Sequence, residues 1–231
     1  MIKVIDKGPH HLAIFKPSNI CVVGGFGVKR PTLLDMVHEK FGKNVFPVHR
    51  LDKGTSGVIL FARSLFAKLA IENAFKKRLV KKTYLAMVEL QPSFKKIDVR
   101  SKLKRINLSS THKNICKQII HDDGEYAHTV FRSLGTIYEK YYLIEARPIT
   151  GRMHQIRAHL SHLGLPIVGD RLYGAKTDLA ENQIALCAVS ISLPAPKGGF
   201  INVDLLKDKT DILHLFTAQL AWIGKNFAQD L

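Results

Sequence analysis

The sequence predicts an α+β fold, and three stretches of its 231 residues carry that prediction. Residues 58–62 form an apolar run of strand length directly after a group of turn-forming residues. In residues 82–88, successive side chains would alternate between the two faces of a strand. Residues 151–163 place apolar side chains on one side of a helical wheel and polar ones on an adjoining side.

The first half of the chain predicts two helices between strands. We expect a strand over residues 11–17, which Pro17 ends. Thr32 can cap a helix that stops at Gly42, and Ser64 can cap a second helix that runs towards Arg78. Basic residues at the end of the second helix suit the negative end of its dipole.

The second half predicts more strand than helix. Residues 95–117 are basic and polar and indicate a hairpin that grips substrate, while residues 126–147 indicate two strands around Gly135. Thr150 can cap the helix over 151–163, and Gly164 can end it. Two further strands and a closing amphipathic helix are expected at residues 184–193, 200–205 and 211–226.

Composition predicts one soluble domain over residues 1–231, with 46% hydrophobic and 23% charged residues. No apolar run approaches the roughly 20 residues of a membrane-spanning helix, and the N-terminus lacks a signal peptide's apolar stretch. Three cysteines far apart argue against a disulfide framework and against a thiolate zinc site. We therefore expect a cytoplasmic monomer without a membrane partner.

The charge balance predicts a polyanionic partner. Lys and Arg number 35 against 19 Asp and Glu, which gives a net charge of +16. Charge alone does not distinguish RNA from DNA or from an acidic membrane surface.

Asp52 is the strongest candidate for a catalytic group. It lies in residues 49–57 (HRLDKGTSG), between Arg50 and Lys53 and just before turn-forming residues. Loops held by a strand often carry catalytic groups, and the adjacent cations would keep this carboxylate ionised. For an isolated aspartate, a loop ion pair or an Asx turn would be the simpler interpretation.

Residues 49–57 resemble the catalytic signature of RluA-type pseudouridine synthases. The same family's later blocks are matched in order by residues 82–84 (KTY), 148–157 (PITGRMHQIR), 159–160 (HL) and 164–174 (GLPIVGDRLYG), and its opening strand by 15–17 (FKP). Ordered blocks are far more specific than a lone motif. Met153, where many members carry Thr or Ser, is a minor departure.

The resemblance implies the pseudouridine synthase catalytic fold, a long mixed or antiparallel sheet flanked by helices with a central active-site cleft. It implies an isomerase that breaks the uridine N1–C1′ bond, turns the base and rejoins it through C5, without cofactor or metal. Asp52 would be the essential carboxylate, either attacking the sugar or removing a proton from it. Tyr84 would stack on the uracil, and Arg152 would pair with Asp52 and lower its pKa.

We expect four further residues to bind or support the substrate: Arg50, His49, Lys82 and Gln155. Arg50 resembles the residue that occupies space near the flipped nucleotide, whereas His49, His154 and Gln155 would support the cleft through hydrogen bonds. The simpler alternatives are a structural ion pair for Arg50, a phosphate contact or surface charge for Arg152, and a core position for Tyr84.

The expected substrate is structured RNA, either transfer or ribosomal. Relatives often carry a small RNA-binding module before the catalytic domain, but here the resemblance begins near residue 10. We therefore expect no separate N-terminal module, and substrate choice would come from loops such as residues 95–117.

Two functions of other classes compete with the isomerase. Eleven histidines, with His159 and His162 on one predicted helix, suggest a metal-dependent hydrolase. However, His154 lies well away from both on the helical wheel, and no nearby Cys or acid completes a ligand set. The other alternative is a catalytically silent RNA-binding protein, which the joint presence of Asp52, Tyr84 and Arg152 argues against.

Overall fold

The computed structural model describes residues 2–25, 27–28, 30–110, 113–137, 140–180 and 183–206, together with Phe216. These residues form two compact units. The first holds the described residues of Met1–Lys82 and Cys187–Ala218, and the second holds those of Thr83–Leu186. A single catalytic domain over residues 1–231 stays a prediction.

The described residues contain strands and helices in irregular order. The helices are α1 (Leu33–Phe41), α2 (Leu65–Lys76) and α3 (Gln155–His162). The strands are β1 (Lys3–Lys7), β2 (His11–Lys16), β3 (Phe46–Pro47), β4 (Ser56–Ala62), β5 (Lys81–Val88), β6 (Lys96–Ser110), β7 (Lys113–Ile120), β8 (Glu125–Ile137), β9 (Tyr141–Pro148), β10 (Leu186–Pro194) and β11 (Phe200–Asp204). This content confirms the predicted α+β class. The predicted closing helix at 211–226 lies outside the described residues, apart from Phe216, and no described helix is long and apolar enough to cross a membrane.

The first unit is built around β4, whose seven residues are all buried. Its sheet runs in the order β1-β2-β4-β10-β11, with β3 beside the end of β4. β2 is antiparallel to β4 and β10 is parallel to it, so the sheet is mixed. Apolar side chains of β4, α2, β10 and β11 form one core, including Leu60, Ile71, Leu193 and Val203. The loop that carries Asp52 therefore leads into the most buried strand of this unit.

Gly57 permits the close approach of β4 and β10. Its φ is +112°, and a Cβ at this position would lie 2.1 Å from the carbonyl oxygen of Ala188. A side chain here would force β4 and β10 apart, so glycine is required at this last position of the segment 49–57.

Two helix caps confirm local predictions from the sequence. Thr32 Oγ1 accepts from the backbone N–H of Asp35, and the Asp35 carboxylate accepts from the N–H of Thr32 in return. Ser64 Oγ accepts from the N–H of Ala67. The helix that starts after Ser64 ends at Lys76 rather than near Arg78, which has a φ of 57° and cannot continue it.

The second unit is an antiparallel sheet in the order β5-β9-β8-β6-β7. β6 and β7 form the hairpin that residues 95–117 predicted. The two strands expected over residues 126–147 are confirmed as β8 and β9, but Gly135 lies inside β8 at a bulge rather than between them. A glycine with a φ of +106° allows the register shift without ending the strand.

Helix α3 begins four residues later than predicted, at Gln155 instead of Gly151. His154 precedes it with a φ of 52°, so Thr150 is not the N-cap. Thr150 instead donates its hydroxyl proton to Gln155 Oε1 at 2.6 Å. The expected polar side of the helix is also wrong in part, since Gln155 and His159 are buried against the sheet.

The segment after α3 forms a tight turn that packs against the helix. Gly164, with a φ of 72°, follows the helix, and a short 3-10 turn covers Arg171–Tyr173. Asp170, which begins this turn, is 1% exposed and holds Arg157 of α3 through two hydrogen bonds of 2.7 and 2.8 Å.

Candidate active site

Asp52 lies half-buried in a tight loop between two buried residues. Leu51 before it is 6% exposed, and Thr55 after it is 2% exposed. The backbone N–H of Thr55 donates to the carbonyl of Asp52 at 3.1 Å, which closes the turn. β4 starts at the next residue, so the carboxylate is held on a rigid support.

A buried lysine fastens this loop to a second one. Lys16 at the end of β2 is 0% exposed, and its Nζ donates to the carbonyls of Pro17, Ile20 and Lys53 at 2.9, 3.0 and 3.1 Å. Ser18 Oγ adds a bond of 3.0 Å to the carbonyl of Gly54. The three donors of the ammonium group are thus satisfied by three carbonyls.

The environment of Lys16 also connects it electrostatically to Asp52. Burial lowers the pKa of Lys16 to about 8, and electrostatic interactions with Cys21 and Asp52 oppose that lowering. Lys16 therefore places a cation within electrostatic range of Asp52. Sequence reasoning missed this role, although a lysine that ends an apolar strand before a proline was a usable signal.

His49 supports the same loop as a neutral ring. Its Nε2 accepts from the backbone N–H of Leu60 at 3.0 Å, and the ring lies 5.2 Å from that of Phe75. Burial, and to a lesser extent the charge of Lys82, lowers the pKa of His49 to about 3. A backbone hydrogen bond at Arg50 opposes this lowering. The ring is therefore neutral near pH 7.

Arg50 and Lys82 differ in their surroundings. Arg50 is exposed, whereas Lys82 is half-buried and burial lowers its pKa. Their expected contacts with the substrate stay predictions.

Tyr84, in the second unit, lies half-buried on the sheet face that α3 covers. It stands opposite Ala146 of β9, which stands opposite Phe131 of β8. The ring of Phe131 lies 6.4 Å from that of His159 in α3, which identifies the covered face. Stacking of Tyr84 on uracil stays a prediction.

Arg152 lies just before α3 and is held by β8. Its Nη1 donates to Glu125 Oε1 at 2.8 Å and its Nε to the carbonyl of Tyr126 at 3.1 Å. A third of its side chain is exposed, at 33%. The sequence did not reveal Glu125 as a partner, and the expected pair with Asp52 of the first unit stays a prediction.

Gln155 is buried, and both polar atoms of its side chain form hydrogen bonds within the protein. Its Oε1 accepts from the Thr150 hydroxyl and from the N–H of Arg152, while its Nε2 donates to the carbonyl of His128 and to Thr129 Oγ1. An amide has two donors and two acceptor sites, so all four are used within the protein. The side chain orients Arg152 through hydrogen bonds, as expected of a support, and its contact with the substrate stays a prediction.

His159 does not offer a metal ligand. It is 0% exposed, and its two ring nitrogens contact Ser101 Oγ and Thr129 Oγ1, each at 3.0 Å. Among the described residues, no group of three or more His, Cys, Asp and Glu side chains is arranged to hold a metal ion.

The lowered pKa values of His49 and His159 predict acid sensitivity. Burial first, and then nearby charge, lowers the pKa of His49 to about 3 and that of His159 to about 4. Because the unfolded chain binds these protons near pH 6.5, stability is full above that pH and is lost as pH falls towards 4. Between pH 7.5 and 5, each histidine should cost about 2 kcal/mol of unfolding free energy.

Urea unfolding of His159→Gln at both pH values tests this expectation. The variant should lose less stability on acidification than the original protein, whereas His121→Gln, at a histidine with 44% of its side chain exposed, should behave like the original. Equal pH dependence in all three proteins would contradict the assignment.

The comparisons with known proteins point to one family. A model of the RNA pseudouridylate synthase family matches residues 10–162, which include Asp52, Tyr84 and Arg152. The chain belongs to this family, in its RluA-type branch.

Curated relatives agree with this membership. The ribosomal large subunit pseudouridine synthase C of Rickettsia prowazekii is 35% identical over 176 residues, covering 75% of this chain and 56% of the relative. An uncharacterized RNA pseudouridine synthase of Helicobacter pylori is 33% identical over 230 residues, covering 92% of this chain and 69% of the relative. The chain therefore spans just over half the length of the Rickettsia relative.

Solved structures support the family fold. Human RNA pseudouridylate synthase domain containing 1 superposes with a TM-score of 0.75 at 22% identity, over 96% of this chain and 88% of that one. Human RNA pseudouridylate synthase domain containing 4 gives 0.71 at 22% identity, over 93% of each chain. At this identity, the likeness concerns the fold alone.

Proposed function

We propose that this protein is an RNA pseudouridine synthase that isomerises specific uridines to pseudouridine. The observation that carries the proposal is the family match over residues 10–162, which contains the candidate catalytic residues Asp52, Tyr84 and Arg152. The names of the Rickettsia relatives favour RNA of the large ribosomal subunit as substrate, and transfer RNA is the alternative. A cytoplasmic, monomeric enzyme is part of the proposal.

The proposed reaction is an isomerisation, so uridine and pseudouridine have the same atomic composition. The N1–C1′ bond breaks, the uracil turns, and a C5–C1′ bond forms while the C5 proton leaves and N1 gains one. Asp52 acts on the sugar, either by attack on C1′ or by removal of a sugar proton, and both routes need its ionised form. Since no electron is gained or lost overall, the chemistry requires no redox cofactor.

The contacts around Asp52 and Arg152 would hold both residues in position for this reaction. Lys16 and the turn closed by Thr55 hold the Asp52 loop in position. Gln155 and Glu125 fix Arg152, whose guanidinium would orient a carboxylate. The target base must leave its stack before Asp52 can reach the sugar, and the exposed Arg50 would fill the space that it leaves.

Release of tritium from RNA labelled at uracil C5 tests the proposal directly. Bulk RNA from a strain that lacks this gene should release tritium when the protein is added, because only unmodified uridines lose the C5 label. RNA from the parent strain, already modified at the same positions, should release far less. No release from either RNA by folded protein would contradict the proposal and favour a silent RNA-binding protein.

The same assay with EDTA separates the isomerase from a metal-dependent hydrolase. The RNA is refolded in monovalent salt, so that loss of divalent ions does not unfold it. The isomerase should keep its rate, whereas a hydrolase loses its activated water when its ion is removed. Recovery of a lost rate by zinc or manganese would contradict the proposed mechanism.

A further inference from the structure

We propose that a groove in the second unit binds one unpaired nucleotide of the substrate RNA, outside the position of the target uridine. The groove has a volume of about 430 Å³, and its lining includes Arg100, Ser101, Lys102, His121, Tyr126 and His162. This inference rests on the proposed function, because it takes the ligand to be part of the substrate RNA.

The groove lies beside the part of β6 that pairs with β8 but has no described pairing with β7. β6 pairs with β8 from Lys96 to Leu103, but its described pairs with β7 begin only at Leu103. The turn after β7 forms a wall, with the N–H of His121 donating to the carbonyl of Lys102 at 3.1 Å. Gly124 in this turn lies so close to the backbone of Leu103 that a Cβ would come within 2.5 Å. The wall is therefore fixed against the strand rather than free to close the groove.

An aromatic ring and an aliphatic side chain provide the surface for a base. Tyr126 is 44% exposed and Ile120 is 37% exposed, although both lie in strands of a packed sheet. A solvent-exposed tyrosine beside a concave surface is a platform on which any nucleobase can stack.

The charges in the groove favour a whole nucleotide over a bare phosphate. Arg100 is held by Asp98 at 3.3 Å, and Lys102 Nζ donates to the carbonyl of Asp122 at 3.0 Å. Asp122 also belongs to the lining. The other charged groups nearby are Asp123, which pairs with Lys104, and Glu125, which pairs with Arg152. Acids and bases are thus balanced, so an isolated anion gains little here. A base can use donors and acceptors of both kinds, while Arg100 and Lys102 remain exposed enough to contact its phosphate.

Tyr126 links this groove to Arg152. Tyr126 lines the groove, and its carbonyl accepts from Arg152 Nε at 3.1 Å. On the other side, Ser101 Oγ contacts Nε2 of His159 in α3 at 3.0 Å. A nucleotide in the groove would therefore be held by the same strands that position Arg152, and this would fix the register of the RNA relative to the target uridine.

Binding of a fluorescein-labelled ten-nucleotide oligouridylate, measured by anisotropy, tests the inference. Tyr126→Ala should weaken binding about tenfold, because it removes one stacking surface, whereas Tyr126→Phe should stay within about twofold. Phe200→Ala provides the matched control, since Phe200 is an exposed aromatic residue of the first unit, at 69%. It should bind like the original protein.

Salt dependence separates stacking from charge. Tyr126→Ala should leave the slope of log affinity against log salt unchanged, while Lys102→Gln should lower it by about 0.7, the value for one lost phosphate contact on a single strand. Thermal unfolding of each variant establishes that binding is lost without unfolding.

The outcomes distinguish this inference from the proposed function. If Tyr126→Ala binds like Phe200→Ala while the original protein releases tritium, the groove is not an RNA site and the enzyme assignment stands. If Tyr126→Ala loses binding but no protein releases tritium, the groove binds RNA and the enzyme assignment fails. If polyglutamate displaces the labelled oligouridylate as well as unlabelled oligouridylate does, the groove binds an acidic peptide and the nucleotide inference is wrong.

Discussion

Replacement of Asp52 with alanine or asparagine should lower turnover by roughly a thousandfold or more, with little change in RNA binding or thermal stability. The carboxylate is half-buried in a loop and contributes no apolar core, whereas the proposed chemistry requires its charge at the sugar. Single-turnover tritium release, with enzyme in excess over RNA, measures the chemical step without product release. Lys16 and the Thr55 turn should keep the loop folded in both variants.

Asp178→Asn is the matched control for this experiment. Asp178 is also a loop carboxylate beside a cation, Arg171, with 52% of its side chain exposed, and its replacement should leave the rate unchanged. Arg152→Ala should be severely impaired, and Tyr84→Phe should be less impaired than Tyr84→Ala if stacking dominates. An Asp52→Ala variant that retains a tenth of the original rate would remove Asp52 from the central role.

Replacement of Asp170 with asparagine should destabilise the protein by about 3–5 kcal/mol, the cost of leaving a buried charge without its partner. Asp170 is 1% exposed, and Arg157 keeps only 10% of its side chain exposed. Both donors of the guanidinium edge point at the carboxylate, and the guanidinium carbon lies 4.9 Å from the centre of the Tyr173 ring. The midpoint and slope of urea unfolding give the change in free energy.

Two comparisons make this prediction specific. Asp178→Asn breaks an ion pair of the same residue types with Arg171, but both side chains are more than half exposed, at 52% and 60%. It should leave the unfolding midpoint nearly unchanged. The double variant Arg157→Met, Asp170→Leu should be less destabilised than Asp170→Asn alone, because no charge remains buried. Equal unfolding midpoints for Asp170→Asn and Asp178→Asn would show that the buried ion pair contributes no more to stability than the exposed one.

Features that depend on neighbouring residues were predictable from the sequence. The caps at Thr32 and Ser64 involve residues three positions apart, so both partners are visible in a short stretch. The hairpin of β6 and β7 likewise joins segments that are close in the chain. The catalytic signature at residues 49–57 and the buried strand after it were recognisable because they are contiguous.

Other features depend on partners far away in the chain, and the sequence did not show them. Gln155 receives hydrogen bonds from Thr150 and also bonds His128 and Thr129, more than 25 residues earlier. These contacts hold the residues before Gln155 in a turn, so α3 starts later than its helical pattern suggests. Gly135 was similarly misjudged, because pairing with β9 continues β8 through a bulge.

The sequence by itself determined the fold class, the family and the residues that could carry the chemistry, since these follow from local patterns and from contiguous motifs. Only the tertiary structure decided which of those residues are saturated supports and which additional ones hold them. Lys16 bonds the carbonyl of Lys53 across 37 positions, and Arg152 bonds Glu125 across 27. A buried polar group needs a partner, but the sequence does not state which distant residue will provide it.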